Sequence, residues 1–406
     1  MLKIRVDDIS PRLSYTFDFI FTERGVEYIF VTDDTSSVDF EYTEGFSKLL
    51  YDTSIKDQVL KRDSWKGVEC LSFEGIADPF ASIFYVLTRY EEYLNKEKDQ
   101  YDRFPFDRSI LGKDWVMKAM CDRWASAILN ELNLEGETGY QGLQPSFDID
   151  NAFAYKHKEG SRKFLSTSKD IVTGNSKRLK ERKAVTNGEK DPYDTFDRII
   201  EISKQFPLTR VFWLCGKWAK KDRNLSIQHP EHQKLIQSVS ENVEVGLHPS
   251  FASFLEDSVI ISEKNDLEGV LSKTIESSRQ HFLRFQLPET FQQLQAIGFK
   301  HEHTMGFAEH VGFRCGTARP HFWFDLSKNE GTDLCIHPFV YMDGTLREYM
   351  GLTINQCKEI ISELHAEVRE YGGVFSFIWH NETIGDYGLW EGWSAVLDYT
   401  LNLDHE

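Results

Sequence analysis

Acidic and histidine side chains stand at the ends of three apolar segments of strand length. Asp148 and Asp150 lie at the end of the first segment, His248 at the end of the second and His380 at the end of the third. Metal-assisted hydrolysis requires a carboxylate base, a histidine acid, and oxygen and nitrogen ligands for the ion. If these strand ends converge, the residues predict a metal-centred hydrolytic site.

Each of these residues taken alone has a simpler interpretation. An aspartate that follows a strand often caps the next helix, so either Asp148 or Asp150 could have that role. A histidine that closes an apolar strand can be solvated or can be satisfied inside the core. Three such strand ends in one domain favour a common site over these separate explanations.

The elements that would position these residues alternate between strands and helices from residue 143 onward. The predicted strands are residues 145–150, 210–216, 243–248, 281–285, 299–306, 334–341 and 374–380. This alternation predicts a parallel sheet, and about seven strands favour a barrel, with the chemistry at the carboxyl ends of the strands. Residues 1–135 combine short β-type segments with two helical patterns, over residues 77–94 and 115–132. Residues 133–142 have the composition of a linker.

The strand ends resemble the motifs of the polysaccharide deacetylase family, which has the NodB-like carbohydrate esterase fold. Residues 146–150 resemble the first motif in its Asp-x-Asp form, residues 246–253 the second, residues 279–285 the third, and His380 the last. The resemblance covers nearly the whole chain, most strongly residues 143–382, and is to a bacterial branch with an additional N-terminal domain. It implies an α/β fold: a NodB-like distorted (β/α)7 barrel over residues 141–406, preceded by a smaller α+β domain over residues 1–140.

The resemblance also implies a role for each motif residue. Asp148 would be the base that takes a proton from water, and Arg279 would steady its carboxylate. Asp150 and His248 would bind a divalent metal, with zinc as the expected ion. His380 would protonate the leaving nitrogen.

The second motif departs from the family pattern at one position. Where a second histidine is usual, four residues after His248, this chain has Ala252. His281 is the expected substitute ligand, and the alternative is that His281 faces the substrate or supports the ligands from behind. Ser250 or Ser253 could also fill the gap weakly.

Four further residues are predicted to contact the substrate. Trp379 and Asn381 flank the last-motif histidine, and Ser250 follows the histidine of the second motif. Arg314 lies in a predicted loop, where it could pair with a carboxylate or with a substrate oxygen.

Composition restricts the partners and the compartment. The formal net charge of the 406 residues is −18, which disfavours nucleic acid and anionic membranes as partners. No apolar stretch is long enough to span a membrane, and residues 1–10 carry acids where a signal peptide would be apolar. Six cysteines are scattered without a CxxC pair, which indicates a reducing cytoplasm and disfavours a disulfide scaffold. The oligomeric state is not indicated.

Three functions follow from these observations. The first is a metal-dependent hydrolase that removes an acyl group, most simply acetyl, from an N-acylated carbohydrate. The second is a catalytically inactive relative that binds carbohydrate or regulates, and the missing histidine favours it. The third is an amidohydrolase that acts on a small non-sugar amide. The locally basic segment 156–183 is either a solvated loop or a lid that attracts an anionic substrate.

Overall fold

The computed structural model describes residues 1–33, 36–157, 168 and 176–405. The chain divides into two compact units, one formed by Met1–Leu143 with Phe282–Phe377 and the other by Gln144–His281 with Ile378–Glu406. The mixture of strands and helices confirms the α/β class, whereas the closed barrel and the boundary at residue 140 stay predictions. Within the basic segment 156–183, residues 158–167 and 169–175 lie outside the residues that the structure describes.

The N-terminal part of the first unit contains two small sheets. Its strands are β1 (Leu2–Val6), β2 (Tyr28–Val31), β3 (Phe40–Tyr42), β4 (Leu60–Trp65), β5 (Val68–Phe73) and β6 (Ile76–Ala77). Its helices are Pro11–Ile20, Pro79–Leu87, Tyr90–Leu94, Gly112–Trp115 and Met120–Glu131. Strand β1 pairs in parallel with β2 and β3, while β5 pairs antiparallel with β4 and β6.

The helix predicted over residues 77–94 is divided into two helices. Asp78 caps the helix Pro79–Leu87 by accepting a hydrogen bond from the Ala81 backbone N–H at 3.0 Å. Arg89 then adopts a left-handed conformation with φ of 55°, which ends the helical run before a second helix begins at Tyr90. The apolar spacing predicted the buried face, and the break depends on a backbone conformation that the spacing does not reveal.

The second unit is built around parallel strands. These are β7 (Tyr140–Ile149), which leads into the unit, β8 (Arg210–Leu214), β9 (Glu244–His248) and β10 (Ser277–Ser278). Each pairs in parallel with the next. The helices of this unit are Ser176–Thr186, Phe196–Gln205, Pro230–Ser240, Asp257–Leu271 and Ser394–Leu401.

The packing of these strands depends on close side-chain contacts. Trp213 of β8 stacks on Phe196 of a covering helix, with ring centroids 5.7 Å apart. Gly246 of β9 is required because a Cβ atom there would come within 2.7 Å of the Phe212 ring and 2.9 Å of the Ser277 carbonyl oxygen. The strands are therefore held close enough for side chains at their ends to meet.

The rest of the first unit contains further strands and helices. Its strands are β11 (His301–Glu302), β12 (His321–Asp325), β13 (Glu330–Ile336) and β14 (Tyr341–Met342), and its helices are Glu289–Ile297 and Ile354–Tyr371. Strand β13 pairs in parallel with β11 and antiparallel with β12. The last strand, β15 (Gly373–His380), carries the chain back into the second unit, where its end is next to β7 in the strand order.

The strand predicted over residues 281–285 is wrong. The strand at this point is only Ser277–Ser278, and His281–Leu283 forms a short 3-10 turn. Phe282 and Leu283 have left-handed φ values of 62° and 53°, which no extended strand accommodates. His281 therefore follows the end of a strand instead of beginning one. Among the described helices, none is both long and apolar enough to cross a membrane.

Candidate metal centre

The carboxyl ends of the parallel strands in the second unit bring the predicted motif residues together. Side chains two residues apart along a strand lie on the same face. Ser146 and Asp148 of β7, and Asp150 directly after it, therefore lie on one side of the sheet. Asp150 Oδ1 lies 3.3 Å from His248 Nε2, and Asp150 Oδ2 lies 3.4 Å from His281 Nε2. His380 Nε2 is 4.0 Å from the same Oδ2 atom. Parallel strands end at a common edge, so residues distant in sequence meet at one point.

Three of these side chains could hold one ion. Asp150, His248 and His281 each offer a ligand atom, and these atoms all lie within 4.8 Å of one another. One carboxylate oxygen with two imidazole nitrogens suits zinc and other divalent transition ions, and three protein ligands leave a coordination position open. This is the set of ligands that the sequence predicted, with His281 in place of the missing second-motif histidine.

The other ring nitrogen of each histidine supports this assignment. His248 Nδ1 lies 2.5 Å from the Arg279 carbonyl oxygen, which can only accept, so Nδ1 donates the hydrogen bond. His281 Nδ1 lies 2.9 Å from Asp222 Oδ1. A proton on Nδ1 leaves the lone pair of Nε2 directed at the cluster, as a metal ligand requires. The residues therefore fit a divalent ion.

The charges of the cluster are strongly coupled. Burial alone lowers the pKa of His281, but the carboxylates of Asp150 and Asp222 outweigh it and raise that pKa to about 9. Burial raises the pKa of Asp150, yet the nearby His281, with a hydrogen bond from His248, brings that pKa well below its usual range. The positive charge of protonated His281 thus compensates the negative charge of Asp150. A divalent ion would compete with that proton for the imidazole nitrogen.

Asp148 is held beside the cluster by a buried arginine. Arg279 Nη1 donates to Asp148 Oδ1 at 2.8 Å, and Nη2 donates to Ser146 Oγ at 2.9 Å. The guanidinium lies over the Phe212 ring, 4.2 Å from its centroid. The second oxygen, Asp148 Oδ2, lies 3.8 Å from His248 Nε2. One carboxylate oxygen is therefore fixed by Arg279 while the other is next to the ligand set.

His380 differs from the two ligand histidines in its exposure. Its side chain is 21% exposed, compared with 2% for His248 and 6% for His281. A half-buried imidazole at this position can reach a bound substrate, whereas the two buried rings cannot. The geometry therefore separates one accessible histidine from two that face only the cluster.

Asp222 is the supporting residue that sequence reasoning missed. Its carboxylate accepts the backbone N–H groups of Phe251 at 2.7 Å and Ala252 at 3.3 Å, in addition to its contact with His281. The segment that lacks the expected histidine thus binds the acid that orients the substitute ligand. Asp222 follows strand β8 in a charged run with Lys220, Lys221 and Arg223. Such a run is typical of a solvent-exposed loop, so the sequence does not mark Asp222 as a buried partner of a ligand.

Replacing Asp222 with asparagine should weaken metal binding. The amide keeps the size of the side chain but loses the charge that orients His281, and loss of such a partner reduces metal affinity about 10–100-fold. A calorimetric zinc titration measures the effect, with Asp197→Asn as the control because Asp197 is 85% exposed. Equal zinc affinity in the two variants would show that Asp222 does not support a ligand.

Three of the residues predicted to contact the substrate are held inside the protein. Ser250 donates its hydroxyl and its backbone N–H to the two carboxylate oxygens of Glu263. Trp379 is fully buried. Asn381 donates its side-chain amide to the carbonyl oxygens of Asn151 and Tyr193, at 3.1 and 3.0 Å. These three residues are engaged within the protein, and the substrate-binding role predicted for them stays a prediction.

Arg314, in the first unit, has internal partners, and its predicted contact with the substrate stays a prediction. Its Nε and Nη2 atoms donate to the carboxylate of Glu92 at 3.0 and 2.7 Å, and Nη1 donates to the Gly306 carbonyl oxygen at 2.9 Å. Arg89 binds the same Glu92 from the other side, at 2.7 Å. The side chains of Arg314 and Glu92 are both almost fully buried. Arg314 therefore pairs with a carboxylate inside the protein.

Replacing Arg314 with methionine should destabilise the first unit strongly. Removing one member of a buried ion pair leaves a buried charge without its full compensation, which costs about 3–5 kcal/mol. Lys48→Met is the control, since the Lys48–Asp7 pair is exposed and such pairs contribute about 0–1 kcal/mol. Urea unfolding measures both changes. Similar losses in the two variants would contradict the buried network.

Comparison with known proteins gives a family match and several distant structural likenesses. A family of unknown function, DUF7033, matches residues 2–136. A search of curated proteins found no match.

Three solved structures that resemble the chain are named as a deacetylase, a carbohydrate esterase and a pseudoenzyme of the CE4 family. A Mycobacterium smegmatis protein named as a polysaccharide deacetylase has 16% identity and a TM-score of 0.41, over 65% of this chain and 83% of its own. A family 4 carbohydrate esterase from Streptomyces lividans has 9% identity and a TM-score of 0.31, over 66% and 86%. A mutant of a CE4 family pseudoenzyme with restored activity has 10% identity and a TM-score of 0.32, over 66% and 64%. Identities and TM-scores this low do not assign an activity, which therefore depends on the site residues.

Proposed function

We propose that the second unit is a metal-dependent hydrolase that removes an acyl group, most simply acetyl, from an N-acylated sugar or glycan, with zinc as the ion. One observation carries this proposal. Asp148, fixed by Arg279 at 2.8 Å, lies 3.8 Å from the Nε2 atom of His248, which also belongs to the ligand set. A base held this close to a ligand can act on a water bound at the same place.

The chemistry divides among the side chains as follows. An ion held by Asp150, His248 and His281 would polarise the acyl oxygen and acidify a water. Asp148 takes a proton from the water that attacks the acyl carbon. Arg279 holds the Asp148 carboxylate in position by its hydrogen bond. His380 gives a proton to the departing nitrogen as the carbon–nitrogen bond breaks. The products are a free amine and a carboxylate.

The acid and the base of this mechanism have suitable surroundings. Asp148 is buried and bonded to a guanidinium, so its carboxylate is already aligned before a substrate arrives. His380 is the accessible histidine, as a proton donor to a substrate atom must be. The choice of an N-acylated sugar over other amides rests on the motif resemblance, which is to a bacterial branch. The scattered cysteines support a cytoplasmic protein.

Acetate release tests this function. Zinc-loaded protein is incubated with oligomers of N-acetylglucosamine and, separately, with small non-sugar acetamides. We expect acetate from the sugars, its loss after chelation and its recovery when zinc returns. Release from the small amides alone would replace the sugar hydrolase with the small-amide hydrolase. No release from any substrate, with the ion bound, would contradict hydrolysis.

The non-catalytic alternative is favoured by one observation, the alanine at position 252. His281 and its partner Asp222 supply a third ligand from another segment, so the missing histidine does not by itself leave the ligand set incomplete. Glycan binding without hydrolysis would favour this alternative, and calorimetry with the same oligomers detects it.

A further inference from the structure

A separate cluster of metal-ligand atoms lies in the first unit, on strands β11 and β13. The parallel register places His301 of β11 opposite Cys335 of β13. His337 follows Cys335 by two residues, so strand alternation puts their side chains on one face. His301, Cys335 and His337 each offer a ligand atom, and these atoms lie within 4.8 Å of one another.

We propose that His301, Cys335 and His337 form a zinc site that connects β11 to β13. The site goes beyond the proposed hydrolase function and does not depend on it. One thiolate with two imidazoles is a set that zinc prefers, whereas magnesium and calcium prefer oxygen.

The distances are close to those of a bound ion. His301 Nδ1 lies 3.0 Å from His337 Nε2. Two nitrogens about 2.0–2.1 Å from a tetrahedral zinc would be about 3.3–3.4 Å apart, so a small outward movement admits the ion. The two nitrogens share a hydrogen bond, so an ion would displace the proton between them.

The backbone and a neighbouring ring hold the ligands in place. The Cys335 N–H donates to the Lys300 carbonyl oxygen, and the His337 N–H donates to the Glu302 carbonyl oxygen, both at 2.8 Å. These bonds fix the two strands beside each other at the site. The ring of buried His303 stacks on that of His337, with centroids 4.3 Å apart and planes 11° apart. Such packing sets the direction of a ligand before the ion arrives.

The exposure of the site allows an ion to enter and leave. His301, Cys335 and His337 are all partly buried, neither sealed in the core nor fully in solvent. Three protein ligands leave a fourth position that a water can fill. By connecting two strands, the bound ion should stabilise the folded first unit, because an ion that binds only the native state shifts unfolding by mass action.

Cobalt binding tests this site without interference from the other cluster. Cobalt(II) bound to a thiolate gives an intense near-ultraviolet charge-transfer band, and the ligands Asp150, His248 and His281 contain no sulfur. The full chain carrying Asp150→Ala and His248→Ala is titrated with cobalt chloride. We expect the band to appear, to saturate at one cobalt per chain and to disappear when zinc is added.

Single substitutions assign the band to its ligands. Cys335→Ser should abolish it and His337→Gln should weaken cobalt binding at least tenfold. Cys357→Ser is the control, since Cys357 is another free thiol of the first unit and its replacement should leave the band unchanged. Circular dichroism establishes that each variant is folded, and zinc should raise the melting temperature only where Cys335 is present. A folded parent chain with no band, or a band that survives Cys335→Ser, would overturn the proposal.

Discussion

Replacing Asp148 with asparagine is expected to lower turnover about 10²–10⁴-fold, the usual contribution of a positioned general base. The amide keeps the shape of the carboxylate but cannot accept the proton of the attacking water. The three ligand side chains are untouched, so the content of bound metal should stay at the wild-type level. Steady-state acetate release together with metal analysis measures both quantities.

The matched control for this prediction is Asp197→Asn, which makes the same chemical change at an exposed position. It should retain wild-type turnover and wild-type metal content. If Asp148→Asn keeps full turnover, Asp148 is not the base. If turnover and metal are lost together, Asp148 acts through the ion site instead of through proton transfer.

Replacing Asp150 or His248 with alanine is expected to empty the site and abolish hydrolysis. Each supplies one of only three protein ligands, so the loss of affinity should exceed the roughly 10–100-fold expected for a residue that merely supports a ligand. Mass spectrometry after dialysis measures the metal in each variant, and acetate release measures the activity. The Cys335→Ser background removes the contribution of the cysteine-containing cluster.

The control for the histidine change is His405→Ala, which removes an exposed imidazole from the same unit. It should leave metal content and turnover unchanged. Wild-type metal content in Asp150→Ala and in His248→Ala would show that these residues do not hold the ion. The proposed hydrolase mechanism would then lose its basis.

The sequence predicted much of the site because strand ends are local features. Strands β8, β9 and β15 are short, largely apolar runs, and each predicted span overlaps the observed one closely, whereas β7 begins at Tyr140, five residues before its predicted start. The parallel arrangement then requires their carboxyl ends to meet, which brings Asp148, Asp150, His248 and His380 together. No knowledge of the tertiary contacts was needed for that step.

Other features depend on contacts that a single sequence does not display. Strand β10 is two residues long, too short for an apolar pattern, and the turn after it relies on left-handed Phe282 and Leu283. Asp222 meets His281 across 59 positions of sequence. The pairing of Ser250 with Glu263 is likewise a tertiary contact, so a serine that seemed available to a substrate is already bonded.

The burial of Trp379 could have been predicted from the sequence. Adjacent residues on a strand face opposite sides. If His380 points into the site, Trp379 must point away from it, and it is indeed fully buried. Strand alternation, applied to β15 as it was to the aspartates of β7, separates the site residue from the core residue.

The central claim is that Asp150, His248 and His281 hold a divalent ion beside Asp148, and anomalous scattering at the zinc edge tests it most directly. Crystals of the wild-type chain grown with zinc should show a peak about 2.0–2.2 Å from an Asp150 oxygen and from the Nε2 atoms of both histidines. An ordered site with no peak among these three side chains, in crystals that contain zinc, would contradict the account.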